Sequence, residues 1–140
     1  MKTLTMPLLA ILLATANSLA ADSAPQALVN KLRSLAGSSA RDCGSVALPG
    51  DRDAAIACAK DAATSGNAYR IAVQLQETDS FIWQGAARDE HGKLWVVFYD
   101  ADPSDGPAAG PTLSVLSCRE ILFAVKGSDA IECKPFFGEP

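Results

Sequence analysis

The chain has 140 residues, 49% of them hydrophobic and 20% charged, with 12 basic against 16 acidic side chains. That is enough chain for one domain of ordinary size. The basic residues are scattered, whereas a surface that tracks phosphates needs concentrated Lys and Arg, so nucleic acid and anionic membrane are excluded as expected partners.

The first twenty residues read as a secretory signal peptide. Lys2 gives a positive start, Met6 to Ala14 form an apolar run, and Ser18-Leu19-Ala20 is a small-x-small cleavage site. Residues 1–20 are therefore assigned to the signal and 21–140 to a single exported domain beginning at Ala21. The competing reading, an uncleaved anchor, asks for ~20 apolar residues, and Pro7, Thr15, Asn17 and Ser18 interrupt this run. No cysteine follows the cleavage site to carry a lipid. The mature protein is expected to be soluble and secreted or periplasmic, with no membrane insertion after cleavage. Removing Lys2 leaves 11 basic against 16 acidic residues, a formal charge of −5.

Four cysteines, Cys43, Cys58, Cys118 and Cys133, fall in the exported part. An even count in an oxidising compartment predicts two disulfides, which can be paired in three ways. Cys43–Cys58 and Cys118–Cys133 are favoured, because each pair would staple a local unit. A zinc site is disfavoured: no Cys-x-x-Cys occurs, and His91 is remote in sequence.

In chain order, Ser23 is expected to cap a first helix, with Gln26 as its reciprocal partner and Pro25 in the first turn. Leu28, Leu32 and Leu35 share a face, and Gly37-Ser38-Ser39 ends the element. This helix either packs on the domain or forms an arm that docks on a partner; three leucines in water favour packing. Residues 41–50 read as a loop. Asp51 then caps an Ala-rich helix whose small-residue stripe is Ala55, Cys58, Ala59 and Ala62, ending at Gly66-Asn67.

Tyr69, Ile71, Val73 and Leu75 alternate with Arg70, Ala72, Gln74 and Gln76, predicting a half-buried strand with a polar outer face. A turn at Glu77-Thr78-Asp79-Ser80 leads to a second strand, Phe81 to Arg88. Asp89-Glu90-His91-Gly92 makes a hairpin loop. Leu94 to Tyr99 contains no charged residue and is expected to be the central strand. Residues 100–111 hold three prolines and two glycines and read as an exposed loop. Leu113 and Val115 resume alternation towards Cys118. Between 118 and 134 two readings stand. Ser117-x-x-Glu120 is a capping box for a short helix, while Ile121 to Val125 and Ala130 to Cys133 form a hairpin placing Cys118 opposite Cys133. The hairpin is favoured. The whole predicts an α+β fold, one or two helices packed in two layers on an antiparallel meander of four to five strands, with two disulfides.

The Ala-rich helix through Ala62, the Asp89-Glu90-His91-Gly92-Lys93 hairpin and Val97-Phe98-Tyr99-Asp100-Ala101 before a turn at Gly106 resemble PepSY-like secreted bacterial modules. The resemblance implies a non-catalytic module that modulates a peptidase or binds at the cell envelope. Asp42-Cys43-Gly44 followed by Ala57-Cys58-Ala59 in a helix is also similar to small disulfide-bridged exported bacterial proteins of no known activity. The cysteines and the Pro-rich loop depart from the PepSY pattern, so no site residues are carried over.

Candidate chemistry is thin. His91 would be a general base, with Asp89, Glu90 or a serine as partner, but a turn residue in water has nothing to orient it. Asp100-x-Asp102-x-Ser104 has the opening spacing of a calcium loop, which then fails at Asp105 and Pro111. Trp83, Trp95 and Tyr99 read as core more readily than as a ligand groove. Asp61, Glu77 and Asp79 offer carboxylates that nothing in the sequence brings together as glycoside hydrolysis would need. No catalytic, cofactor or metal residues are assigned. The expectation is a non-enzymatic exported module that binds a protein or peptide at the envelope, with inhibition as one mode of action. Its expected contact surfaces are loop 100–111, the tip around His91, and a sheet face bearing Gln74 and Gln84. A small hydrolase with an unseen site and a structural or immunity-type protein are the alternatives.

Overall fold

The computed structural model describes residues 23–76, 81–101, 110–124 and 130–136. Residues 1–22, on which the expected signal peptide falls, and Glu77, Asp79, Asp102, Ser104, Asp105 and most of loop 100–111 lie outside the described residues. The period-2 sequence between Tyr69 and Ala101 forms three antiparallel strands, β2 (Tyr69–Gln74), β3 (Phe81–Arg88) and β4 (Leu94–Ala101). β1 (Arg41–Val46) flanks β2, and β5 (Thr112–Cys118) flanks β4, so the sheet order is β1-β2-β3-β4-β5. The helices are α1 (Gln26–Ala36) and α2 (Asp53–Thr64), and a small second sheet pairs β6 (Glu120–Phe123) with β7 (Ile131–Lys134).

The α+β class and both disulfides are as expected, but four features differ. First, residues 41–46 are a strand, parallel to β2. α2 makes the connection a parallel pair requires, so the sheet is mixed. Its register shifts between Asp42 and Ser45, where Gly44 takes φ +89° in a bulge. Second, there are three layers. Leu28, Leu32 and Ala36 of α1 pack on Ala72, Trp83, Ala87 and Val97. Ala55, Ile56, Ala59 and Ala62 of α2 pack on the opposite face, against Ile71, Val73, Ala86 and Val96. Gly85 lets α1 approach, since a Cβ there would lie 2.7 Å from Leu32 Cδ1. Third, the middle strand is β3; the Leu94 strand is interior but one place off centre. Fourth, Cys133 pairs in the hairpin ladder with Ile121, and its disulfide reaches Cys118 at the end of β5. The bridge joins the two sheets.

The helix caps also shift. Pro25 precedes α1 with no side-chain cap, so Ser23 does not serve as one. Asp51 Oδ1 accepts the Asp53 amide at 2.8 Å, one residue ahead of the Arg52 cap position. The bridges Cys43–Cys58 and Cys118–Cys133 have Cα separations of 5.5 and 5.4 Å, within the ordinary range.

The hairpin β6–β7 sits on the α2 face, placing Ala130 and Ile131 in the core there. Gln84 fixes it. This side chain is 1% exposed, donates from Nε2 to the Ile131 carbonyl and accepts the Ile131 amide at 2.9 Å. β7 therefore starts beneath β3 and runs outward, reaching β5 at the Cys118–Cys133 bridge. The expected polar outer face is thus a correction. Gln84 lies opposite Val73 while Gln74 lies opposite Trp83. Residues opposite in a ladder share a face, so the two glutamines point to different sides and Gln84 is buried.

Candidate binding surface

Among the described residues singled out for acid–base chemistry, no hydrogen bond joins His91 to a serine. Asp89 Oδ1 accepts the amides of His91 and Lys93 at 2.9 and 2.8 Å, so this carboxylate staples the β3–β4 turn. His91 Nε2 lies 3.5 Å from Glu90 Oε1, with both side chains mostly in water. A shallow polar dent of about 240 Å³ brings Asp89, Glu90 and His91 beside Ser38 and Ser39 after α1. Among the described residues no Phe, Tyr or Trp lines it. Asp61 is held by Arg41 at 2.7 Å on the surface. Among the described residues no group of three His, Cys, Asp or Glu side chains is placed to hold a metal. No described helix is long and apolar enough to cross a membrane.

The aromatic residues divide. Trp83 is fully buried under α1, its Nε1 without a hydrogen-bond partner among the described residues. Trp95 and Tyr99 are half-buried at the margin of that core, with Lys93 Nζ 5.1 Å from the Trp95 ring centre. They mark the boundary of an uncovered region. α1 contacts β2, β3 and β4, and β5 beyond it is exposed from Thr112 to Ser117. The ladder sets Leu113 opposite Tyr99, Val115 opposite Val97 and Ser117 opposite Trp95. Leu113 and Val115 therefore extend the α1-side face past the helix. They are 37% and 39% exposed, and Phe81, on the same face, is 39% exposed. The result is an exposed apolar strip along β5 beside the helix-covered part of the sheet, with Phe81 exposed separately at the start of β3.

The strip runs along an open strand edge. β1 and β5 are the two edges of the sheet, and they differ. β1 carries Arg41, Asp42 and a bulge, devices that discourage further pairing. β5 reads Thr-Leu-Ser-Val-Leu-Ser-Cys, without charge, proline or bulge, in unbroken register with β4. Among the described residues no strand pairs its outer side. On the other face of this edge, Leu116 is 47% exposed. It borders a cleft of about 380 Å³ lined by Leu116, Ser117, Glu132, Cys133, Lys134 and Pro135. Glu132 and Lys134 form an ion pair at its rim.

The alternation of Leu113 and Val115 was the sequence signal for this surface. What the sequence lacked was any sign that α1 stops short of β5. A second concavity, about 600 Å³, lies under the β1–α2 loop between Ser23 and Asp51, with Leu48 anchored through its amide to Gln74 Oε1 at 2.9 Å. No family model matches the chain, and neither a curated protein nor a solved structure matches it.

Proposed function

We propose that this chain is an exported, non-enzymatic module that binds a protein or peptide at the cell envelope, through the uncovered surface of β5. The observation that carries this reading is the exposed apolar pair Leu113 and Val115 on β5, continuous with an unguarded strand edge. Apolar surface held open on an otherwise covered sheet is a feature of interaction sites. Export is supported by the signal-like residues 1–20 and by the bridging of all four cysteines, since bridges persist in oxidising compartments. The order α2, β2, β3, β4 is the helix-then-meander arrangement on which the PepSY-like resemblance rests, and that resemblance implies the same kind of role.

The test is to pan the oxidised protein, residues 21–140, against a displayed library of random linear peptides, and to recover the bound peptides for mass spectrometry. The expected result is a set of peptides that compete with one another and come back uncut. Cleaved peptides would favour the hydrolase alternative. A library with no member held better than by the reduced, unfolded chain would remove the binding reading.

A further inference from the structure

We infer that the ligand of this surface is an extended, uncharged segment of another polypeptide that adds to β5 as a further strand. The inference rests on the binding reading above and names the occupant. Three features converge on one edge. The outer side of β5 has no strand partner among the described residues, and backbone N–H and C=O groups in such a position are free to extend a ladder. On the α1 side, a strand laid there would set every second side chain next to Leu113 and Val115. On the other side, its alternate side chains would point toward the cleft between Leu116 and the outgoing end of β7.

An amphipathic helix could rest on the strip but would leave the edge groups unpaired and the cleft empty. A second copy of the chain is disfavoured by size and by charge. Seven residues span roughly 24 Å, and with a sheet thickness of ~10 Å the edge offers about 500 Å² in total for two copies, well below the roughly 1,200 Å² of a stable interface. Each mature chain also carries a formal −5, so two copies repel. A single strand from a neutral or basic partner escapes the charge objection, and a peptide held by one strand needs less area than a stable dimer of folded domains. The strip requires apolar or small side chains on one alternation. The cleft takes a side chain of moderate size on the other, past the Glu132–Lys134 pair.

The probe is a capped peptide of alternating Val and Thr, with a Lys at each end for solubility. It is compared with two versions that are N-methylated on one or the other alternate set of residues. A ladder uses only one of the two sets of amides. One methylated version should therefore lose binding, while the other stays within about threefold of the parent. Alternate amides of Thr112–Cys118 should exchange more slowly with the probe present. Val115→Lys and Leu116→Lys, both at exposed positions, should each weaken binding by about tenfold with unchanged melting. Equal binding by both methylated versions, with contacts still on β5, would overturn the strand inference and leave the binding reading standing, whereas contacts mapping to the His91 tip would overturn both. Protection of β5 that grows with protein concentration in the absence of probe would replace the partner strand with a second copy. Failure of the probe together with every library peptide would take down both readings.

Discussion

Gln84 holds the two sheets together, and replacing it should loosen the smaller one. Its side-chain amide forms a reciprocal pair of hydrogen bonds with the backbone of Ile131, across a sequence distance of 47 residues. Gln84→Leu keeps similar volume but leaves the Ile131 N–H and C=O without these partners, in a site where Ile131 is 1% exposed. An unsatisfied buried group costs about 1–3 kcal/mol. Two of them, offset by the gain from a buried Leu of about 1.5–3 kcal/mol, leave a net loss on the order of 1–3 kcal/mol. The Cys118–Cys133 bridge tethers β7 independently, so part of the loss should appear as local opening. Two measurements separate these effects. Urea unfolding of the oxidised protein gives the global change, and hydrogen exchange of the Ile131 amide gives the local one. Gln76→Leu, at an exposed position, is the control. If Gln84→Leu left both the midpoint and the Ile131 exchange rate at wild-type values, the hairpin would not be held by this side chain.

Three more predictions follow from the core and the bridges. Gly85→Ala would drive a Cβ to within 3 Å of both Leu32 methyls; overpacking of this kind should cost about 1–3 kcal/mol in a thermal melt, and Leu32→Ala in the same chain should recover part of it. Replacing Cys118 and Cys133 together by Ala removes a bridge across 15 residues, worth ~3 kcal/mol on the chain-entropy estimate, and should speed amide exchange in β5 more than in β3. Burial pushes the Tyr69 hydroxyl up to about 12, against a smaller opposing influence from Arg88. The unfolded chain ionises first, so stability is complete below pH 10 and should fall by about 2–3 kcal/mol between pH 10 and 12, a decline that Tyr69→Phe should reduce.

Much of the scaffold was legible because its signals are local. Alternation placed β2, β3 and β4, the Ala-rich stripe placed α2, and equal spacing of the cysteines suggested the bridges that formed. β1 was hidden because Arg41-Asp42-Cys43-Gly44-Ser45-Val46 has almost no apolar alternation; parallel pairing through α2 and a bulge at Gly44 make it a strand. Gln84 misled for another reason. Its place in an alternating strand pointed to solvent, and only the return of residues 130–134 across the sheet turns that polar side chain into a buried anchor. The same return chose the hairpin over the capping box at Ser117, because β-branched and aromatic residues at 121–123 pack on the core as a strand. For the site, sequence supplied the apolar residues of β5 but not their exposure, which depends on where a distant helix ends.

The placement of the bridges bears on how an open edge can persist. An edge strand has a neighbour on one side only, so it gives up the fewest hydrogen bonds when it frays. Here each edge strand of the sheet holds one half of a bridge. Cys43 ties β1 to α2, and Cys118 ties β5 to β7. β1 is guarded further by charge and by its bulge. β5 has neither device, and its bridge sits at its last residue, the buried Cys118, leaving Thr112 to Ser117 exposed. A covalent anchor at one end holds the strand against β4 without covering its outer side. That combination keeps the edge ordered and available, which is what the recognition of an extended segment by strand addition requires. A strand that had to be reassembled at each encounter would spend binding energy on its own ordering. On this argument, loss of the Cys118–Cys133 bridge should weaken peptide binding even where the rest of the sheet remains folded.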